Sequence, residues 1–160
     1  MMERPRKASG PLPETPGKPG RTDTGGQPVS ACAAYEGSEE LGEARALAEQ
    51  FLDAVRTSGG VEVGADARMM LPLVVSELVT NVRRHAPGPH MLELELVAEC
   101  ARVSVWDTDP ALPVIREKDP RRIGGHGLEI VTAVCTGFEM HRELVGKRLT
   151  AVLPLNDRAV

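Results

Sequence analysis

Glu77, Asn81 and His85 recur every fourth residue in the stretch SELVTNVRRHA, Ser76 to Ala86. At about 100° per residue, a helix gathers them within about 80° of one another. A carboxylate, a carboxamide and an imidazole then share one stripe. That stripe runs beside the apolar line Leu71, Val75, Leu78 and Val82, so it borders a core. A helix edge facing water would carry the same residue types, with i,i+4 pairs contributing only a few tenths of a kcal/mol. Two other places in the chain give the stripe company. Asp107 closes the apolar run VSVWD, where a strand end can aim a carboxylate into a pocket to accept a hydrogen bond from an exocyclic amine. Gly124, Gly125 and Gly127, with His126 and Leu128, open the segment GGHGLEIV. A helix N-terminus with free N–H groups and little side-chain bulk is suited to an anion.

These residues need elements to position them. A chain of 160 residues with 41% hydrophobic content holds one domain of ordinary size. Aromatic residues are scarce (Phe 2, Trp 1, Tyr 1) and the formal net charge is −4. The core must therefore be aliphatic, and both base-stacking platforms and a basic field for nucleic-acid backbone are missing. No apolar run reaches the roughly 18 to 20 residues of a membrane span, and the N-terminus lacks the apolar centre of a secretory signal. A cytoplasmic location is the expectation. Cys32, Cys100 and Cys135 are odd in number and widely spaced, which predicts buried free thiols in place of a disulfide frame or a zinc site.

Residues 1–28 hold six prolines and five glycines, with five Lys or Arg against three Asp or Glu. This composition predicts a disordered, solvated tail, followed by one domain over residues 29–155. From Glu39 to about Thr57, Leu41, Ala44, Leu47, Phe51 and Val55 lie at helical spacing. Asp66 is the expected cap of a second helix ending at His85 or Ala86, before Pro87 and Gly88. Pro72 predicts a kink there or a true start near Leu71. In MLELELVAECARVSVWD, Leu92, Leu94 and Leu96 alternate with Glu93 and Glu95, which predicts a strand with one wet face. A turn near Ala98 to Ala101 returns it as a second strand, Arg102 to Trp106. Asp107 to Ile123 is charged and proline-rich, hence a loop. Leu128, Val131 and Cys135 share a face of a third helix. Two last strands, Phe138 to Arg142 and Arg148 to Leu153, meet at Val145-Gly146-Lys147. Met69, Met70 and Met91 are expected to fill gaps in the core. The order predicts an α+β protein, a two-layer α/β sandwich with helices on one face of a mostly antiparallel mixed sheet.

Familiar phosphate signatures do not explain the glycines. The chain has no G-x-x-x-x-G-K-[ST]. Gly125-x-Gly127-x-x-Ile130 lacks its last small residue and follows a loop, unlike a dinucleotide fold. The protein-kinase set of a Gly-rich strand and an H-R-D loop is missing. His85 and His90, five residues apart across Pro87, do not make a metal site.

Taken in order, SELVTNVRRHA, VSVWDTDP and GGHGLEIV resemble the N, G1 and G2 boxes of the GHKL (Bergerat) ATP-binding fold shared by histidine kinases and gyrase. Within that group, the chain resembles the small anti-sigma-factor Ser/Thr kinases and ATP-binding regulators of actinomycetes. The resemblance covers roughly Val29 to Leu155, and E-L-V-T-N with the following H-A is its most specific part. It implies ATP and Mg²⁺ as cofactors. It makes Asn81 the magnesium ligand, Asp107 the reader of the adenine amine, and Glu77 the general base on a substrate hydroxyl. His85, Gly124, Gly125, His126, Gly127 and Leu128 would complete the nucleotide site, with Gly124 in the hinge of a lid. A sigma factor and a STAS-type anti-sigma-factor antagonist are the implied partners, with a homodimer by analogy. Two departures stand out. Where the wider group has D-x-G-x-G, this chain has Asp107, Thr108, Asp109 and Pro110, and His126 occupies a position where close relatives often carry Arg. Arg83, Arg84, Arg116, Lys118, Arg121 and Arg122 are the cations near enough in sequence to compensate. These departures keep a second expectation open: a noncatalytic interaction module on the same fold, with weak or absent ATP binding.

Overall fold

The period-two pattern of the central strands is carried directly into burial. Leu92 and Leu94 are fully buried, while Glu93 and Glu95, which alternate with them, are partly exposed, as a sheet with one covered face requires. The structure is a computed structural model and describes residues 28–58, 60–109 and 127–157. Its elements are β1 (Ser30–Tyr35), α1 (Leu41–Ser58), α2 (Ala65–His85), β2 (His90–Val97), β3 (Cys100–Asp107), α3 (Gly127–Val134), β4 (Gly137–Arg142) and β5 (Lys147–Pro154). The strands form one five-stranded sheet in the order β1-β2-β3-β5-β4. All four pairings are antiparallel. The tail expected over residues 1–28 lies, but for its last residue, outside the described residues, as does most of the loop expected after Asp107.

The helices cover one face. Phe51 and Val55 of α1, Leu71, Val75, Leu78 and Val82 of α2, and Val131 of α3 are buried together with Val103, Val105, Leu149 and Ala151 of the sheet. This core is almost wholly aliphatic. Burying each such side chain contributes about 1.5–3 kcal/mol. No helix among the described residues is long and apolar enough to cross a membrane.

α2 departs from expectation at two points. It runs unbroken from Ala65 to His85 with Pro72 inside. The proline removes one backbone donor, but Leu71, Val74 and Val75 around it are fully buried, and tertiary packing holds the helix where propensity would end it. Ser76 Oγ donates to the Pro72 carbonyl at 2.8 Å and accepts from Arg45 Nε of α1 at 2.7 Å. The second departure is the cap. Gly64 occupies the N-cap, and Asp66 lies inside the first turn. The capping carboxylate comes from beyond β5: Asp157 Oδ2 accepts from the Ala65 amide at 2.9 Å.

β1 was not expected from the sequence. Its residues SACAAY are small but for Tyr35, and only alternate ones, Ala31, Ala33 and Tyr35, turn toward the core. Such a strand has little hydrophobic amplitude. The β2–β3 turn is tighter than expected, with Val97 opposite Cys100 and Ala98 in the left-handed region at φ 54°. The thiols are free, but Cys32 is exposed and Cys100 and Cys135 are only partly buried. Met69 is exposed, so it fills no core gap, whereas Met70 packs against the core.

Candidate functional site

The apolar line of α2 is fully buried, which leaves the neighbouring stripe at the margin of the core. Glu77 and Asn81 are both partly buried, and His85, the last residue of the helix, is exposed. The Asn81 side-chain nitrogen Nδ2 is buried with no hydrogen-bond partner among the described residues. Such an amide is an uncompensated polar group. It is also a group able to meet a ligand.

α3 begins against this stripe. A methyl group added at Gly127 would run into the Glu77 carboxylate, so the two elements approach this closely because Gly127 has no side chain. The first-turn amides of α3 have no partners within their own helix. Leu128, in the same turn, sends its side chain into the core. Only its backbone remains for a ligand. Gly124, Gly125 and His126 lie outside the described residues, as do Arg116, Lys118, Arg121 and Arg122.

Of the compensating cations, Arg83 and Arg84 are described, and Arg83 lies about 200° around the helix from Asn81. Its charge is felt at Tyr35 on β1. Burial, with help from the Glu43 and Glu39 carboxylates, pushes the Tyr35 hydroxyl above its ordinary pKa, and Arg83 opposes the shift. Arg84 is on the same side as Glu77 and is exposed.

Asp107 ends β3, as the spacing predicts, but its carboxylate is already engaged. Oδ1 accepts from the Asp109 amide at 2.9 Å. Oδ2 lies 2.8 Å from Lys147 Nζ in an ion pair whose side chains are 0% and 1% exposed; the angle there is not that of a hydrogen bond. Lys147 also donates to the Asp109 carbonyl at 3.1 Å. The sequence reading missed Lys147 as a site residue. A lysine at the start of a strand is ordinary, and only the ladder register, which sets Asp107 opposite Lys147, brings the two charges together.

These residues can be set against the two cofactors that the motifs imply. A carboxamide at Asn81 whose buried Nδ2 has no hydrogen-bond partner among the described residues, and a glycine opening α3 against Glu77 of the same stripe, fit the oxygens of a phosphate chain, and the carboxamide oxygen is the group that would meet a magnesium ion. A neutral oxygen ligand suits an ion that keeps water and phosphate as its other partners. Asp107 fits a purine amine less well, because the Asp109 amide takes one of its oxygens and the Lys147 ammonium is ion-paired with the other. No group of three or more His, Cys, Asp and Glu among the described residues could hold a metal ion. Cys135 carries no thiolate chemistry near neutral pH, since burial pushes its thiol up to about 11.

Fold and site together define an α+β two-layer sandwich whose middle helix presents a polar stripe to the N-terminus of a short third helix. No family model matches the sequence, and no curated protein matches it. Among solved structures it is similar to the histidine kinase domain from Erythrobacter litoralis EL346 blue-light activated histidine kinase, at 19% identity and a TM-score of 0.43. The match covers 70% of this chain and 61% of that chain.

Proposed function

We propose that the chain is an ATP-binding regulatory protein with a GHKL-type site, inhibiting a sigma factor and phosphorylating Ser or Thr on a STAS-type antagonist. The observation that carries this reading is the meeting of two sequence-distant motifs, with Glu77 of the α2 stripe packed against Gly127 at the start of α3. Asn81 would hold Mg²⁺ through its carboxamide oxygen, and the α3 amides would face phosphate. The bound nucleotide supplies the phosphoryl group. Glu77 would take the proton of a substrate hydroxyl; its partly buried position matters because a free glutamate is a weak base at neutral pH.

To test the reading, the protein is incubated with labelled Mg²⁺-ATP and candidate antagonist proteins. Label on a Ser or Thr of the antagonist, lost with Glu77→Ala, supports the kinase assignment. Transfer by the variant at the native rate removes Glu77 as the base, and no transfer to any antagonist leaves no kinase.

A second reading, a noncatalytic interaction module on the same fold, is favoured by one specific observation. The carboxylate that would recognise adenine is closed off by Lys147. In that case sigma-factor binding persists without nucleotide.

A further inference from the structure

We propose that Lys147 is an internal competitor for the base. Its ammonium holds the Asp107 carboxylate that a purine amine would otherwise take, so this one cation sets both the affinity of the proposed site for a nucleotide and its preference for an amine-bearing base. The inference rests on the nucleotide reading above and deepens it.

The geometry leaves Asp107 little to offer. One oxygen receives the Asp109 amide at 2.9 Å, and the other faces Lys147 Nζ at 2.8 Å. Both side chains are closed to solvent, at 0% and 1% exposure. Asp107 and Lys147 are ladder partners on β3 and β5, so backbone pairing, not a chance rotamer, brings the ammonium to the carboxylate. Gly146 tightens the arrangement. It adopts φ +75°, and a side chain there would fall on the Asp107 carbonyl. Only glycine lets the β4–β5 turn close this far.

An amine on a base is a neutral donor, whereas the ammonium carries a full charge, and taking the carboxylate from it would leave a buried ammonium without its counter-ion, which is strongly unfavourable. The base amine is therefore the weaker suitor for Asp107 while Lys147 remains. The ion pair with the carboxylate and a hydrogen bond to the Asp109 carbonyl at 3.1 Å hold the ammonium in place. Lys147 is thus a specificity-determining residue that acts through Asp107.

The test is calorimetric titration of the full chain with Mg²⁺-ATP and with Mg²⁺-ITP, whose base carries a carbonyl where ATP has the amine. The proteins are the native chain, Lys147→Met, Lys147→Arg and the double variant Asp107→Asn/Lys147→Met. The proposal expects Lys147→Met to bind ATP about tenfold tighter with ITP unchanged, and Lys147→Arg to behave as the native protein. The double variant guards against a folding defect, because an uncharged pair replaces the ion pair; its carboxamide oxygen keeps the Asp109 amide, so an amide NH₂ donor takes the place of Oδ2. It should therefore favour ITP, whose carbonyl accepts from that group, over ATP. If the single variant folds and shows no gain for ATP, or if it fails to fold and the double variant shows no shift toward ITP, Lys147 is a structural counter-ion and the proposal is overturned. The nucleotide reading fails by a different result: ATP binding that Asn81→Ala leaves unchanged. No ATP binding by any of these proteins removes both.

Discussion

The Glu77 carboxylate lies where a side chain on Gly127 would have to go. This contact joins the middle helix to the start of α3, and it rests on one missing methyl group. The colliding atoms belong to the far end of a flexible side chain, so a larger residue at Gly127 can be accommodated by movement of Glu77. Gly127→Val is therefore expected to leave the fold intact while displacing Glu77 from the α3 terminus. Circular dichroism should be unchanged, and ATP affinity should fall about tenfold or more. Native affinity in a folded variant would mean that this junction does not touch the nucleotide.

The buried ion pair makes a prediction about stability. Removing one partner leaves the other charge uncompensated, at a cost of about 3–5 kcal/mol, whereas replacing both by well-packed apolar residues is often close to neutral. Urea unfolding should find Lys147→Met strongly destabilised and Asp107→Asn/Lys147→Met less so, since no charge is left buried. Equal losses in both would locate the contribution in packing of the lysine stem and not in its charge.

At the opposite end of α2, the cap is borrowed. Asp157 follows β5, yet it accepts from the Ala65 amide at 2.9 Å, and the Gly64 amide donates to the Leu155 carbonyl at 2.7 Å. Asp157→Ala should cost about 1 kcal/mol, the usual value of an N-cap. Asp66→Ala should cost less, because that carboxylate is not the capping group. Denaturant midpoints of the two variants decide between them.

The segment before α1 is tied by Glu39, whose carboxylate receives the Glu36 amide at 2.8 Å and the Gly37 amide at 2.9 Å. The backbone amide of Glu36 is the largest cause holding its pKa down, from 4.5 to about 2. A carboxylate depressed on folding stabilises the native state above its unfolded pKa, and that stabilisation is lost as pH falls toward the folded value. The stability difference between the native protein and Glu39→Gln should accordingly be constant above about pH 5 and shrink between pH 4.5 and 2. A difference that stays level through that window would show that the carboxylate does not hold these amides in solution.

Much of this architecture was legible because the signals were periodic. The leucines of β2 and the line Leu71, Val75, Leu78 and Val82 declared their elements through spacing alone, and the stripe Glu77, Asn81, His85 followed from the same arithmetic. What escaped was non-local. β1 has no hydrophobic amplitude of its own and exists through pairing with β2. Pro72 sits within a helix held by packing. The cap of α2 arrives from 92 residues away. The partner of Asp107 comes from a strand 40 positions later, set opposite it by the ladder register. The motif residues were readable in the chain, but the charge that closes one of them was not.

The central claim is that Asn81, whose buried side-chain nitrogen has no hydrogen-bond partner among the described residues, belongs to a magnesium-nucleotide site, and its most direct measurement is calorimetric binding of ATP by the native chain and by Asn81→Ala, each with and without Mg²⁺. The account predicts magnesium-dependent binding by the native protein and a loss of that dependence in the variant. Identical isotherms for the two proteins with magnesium, or native binding indifferent to magnesium, would contradict it.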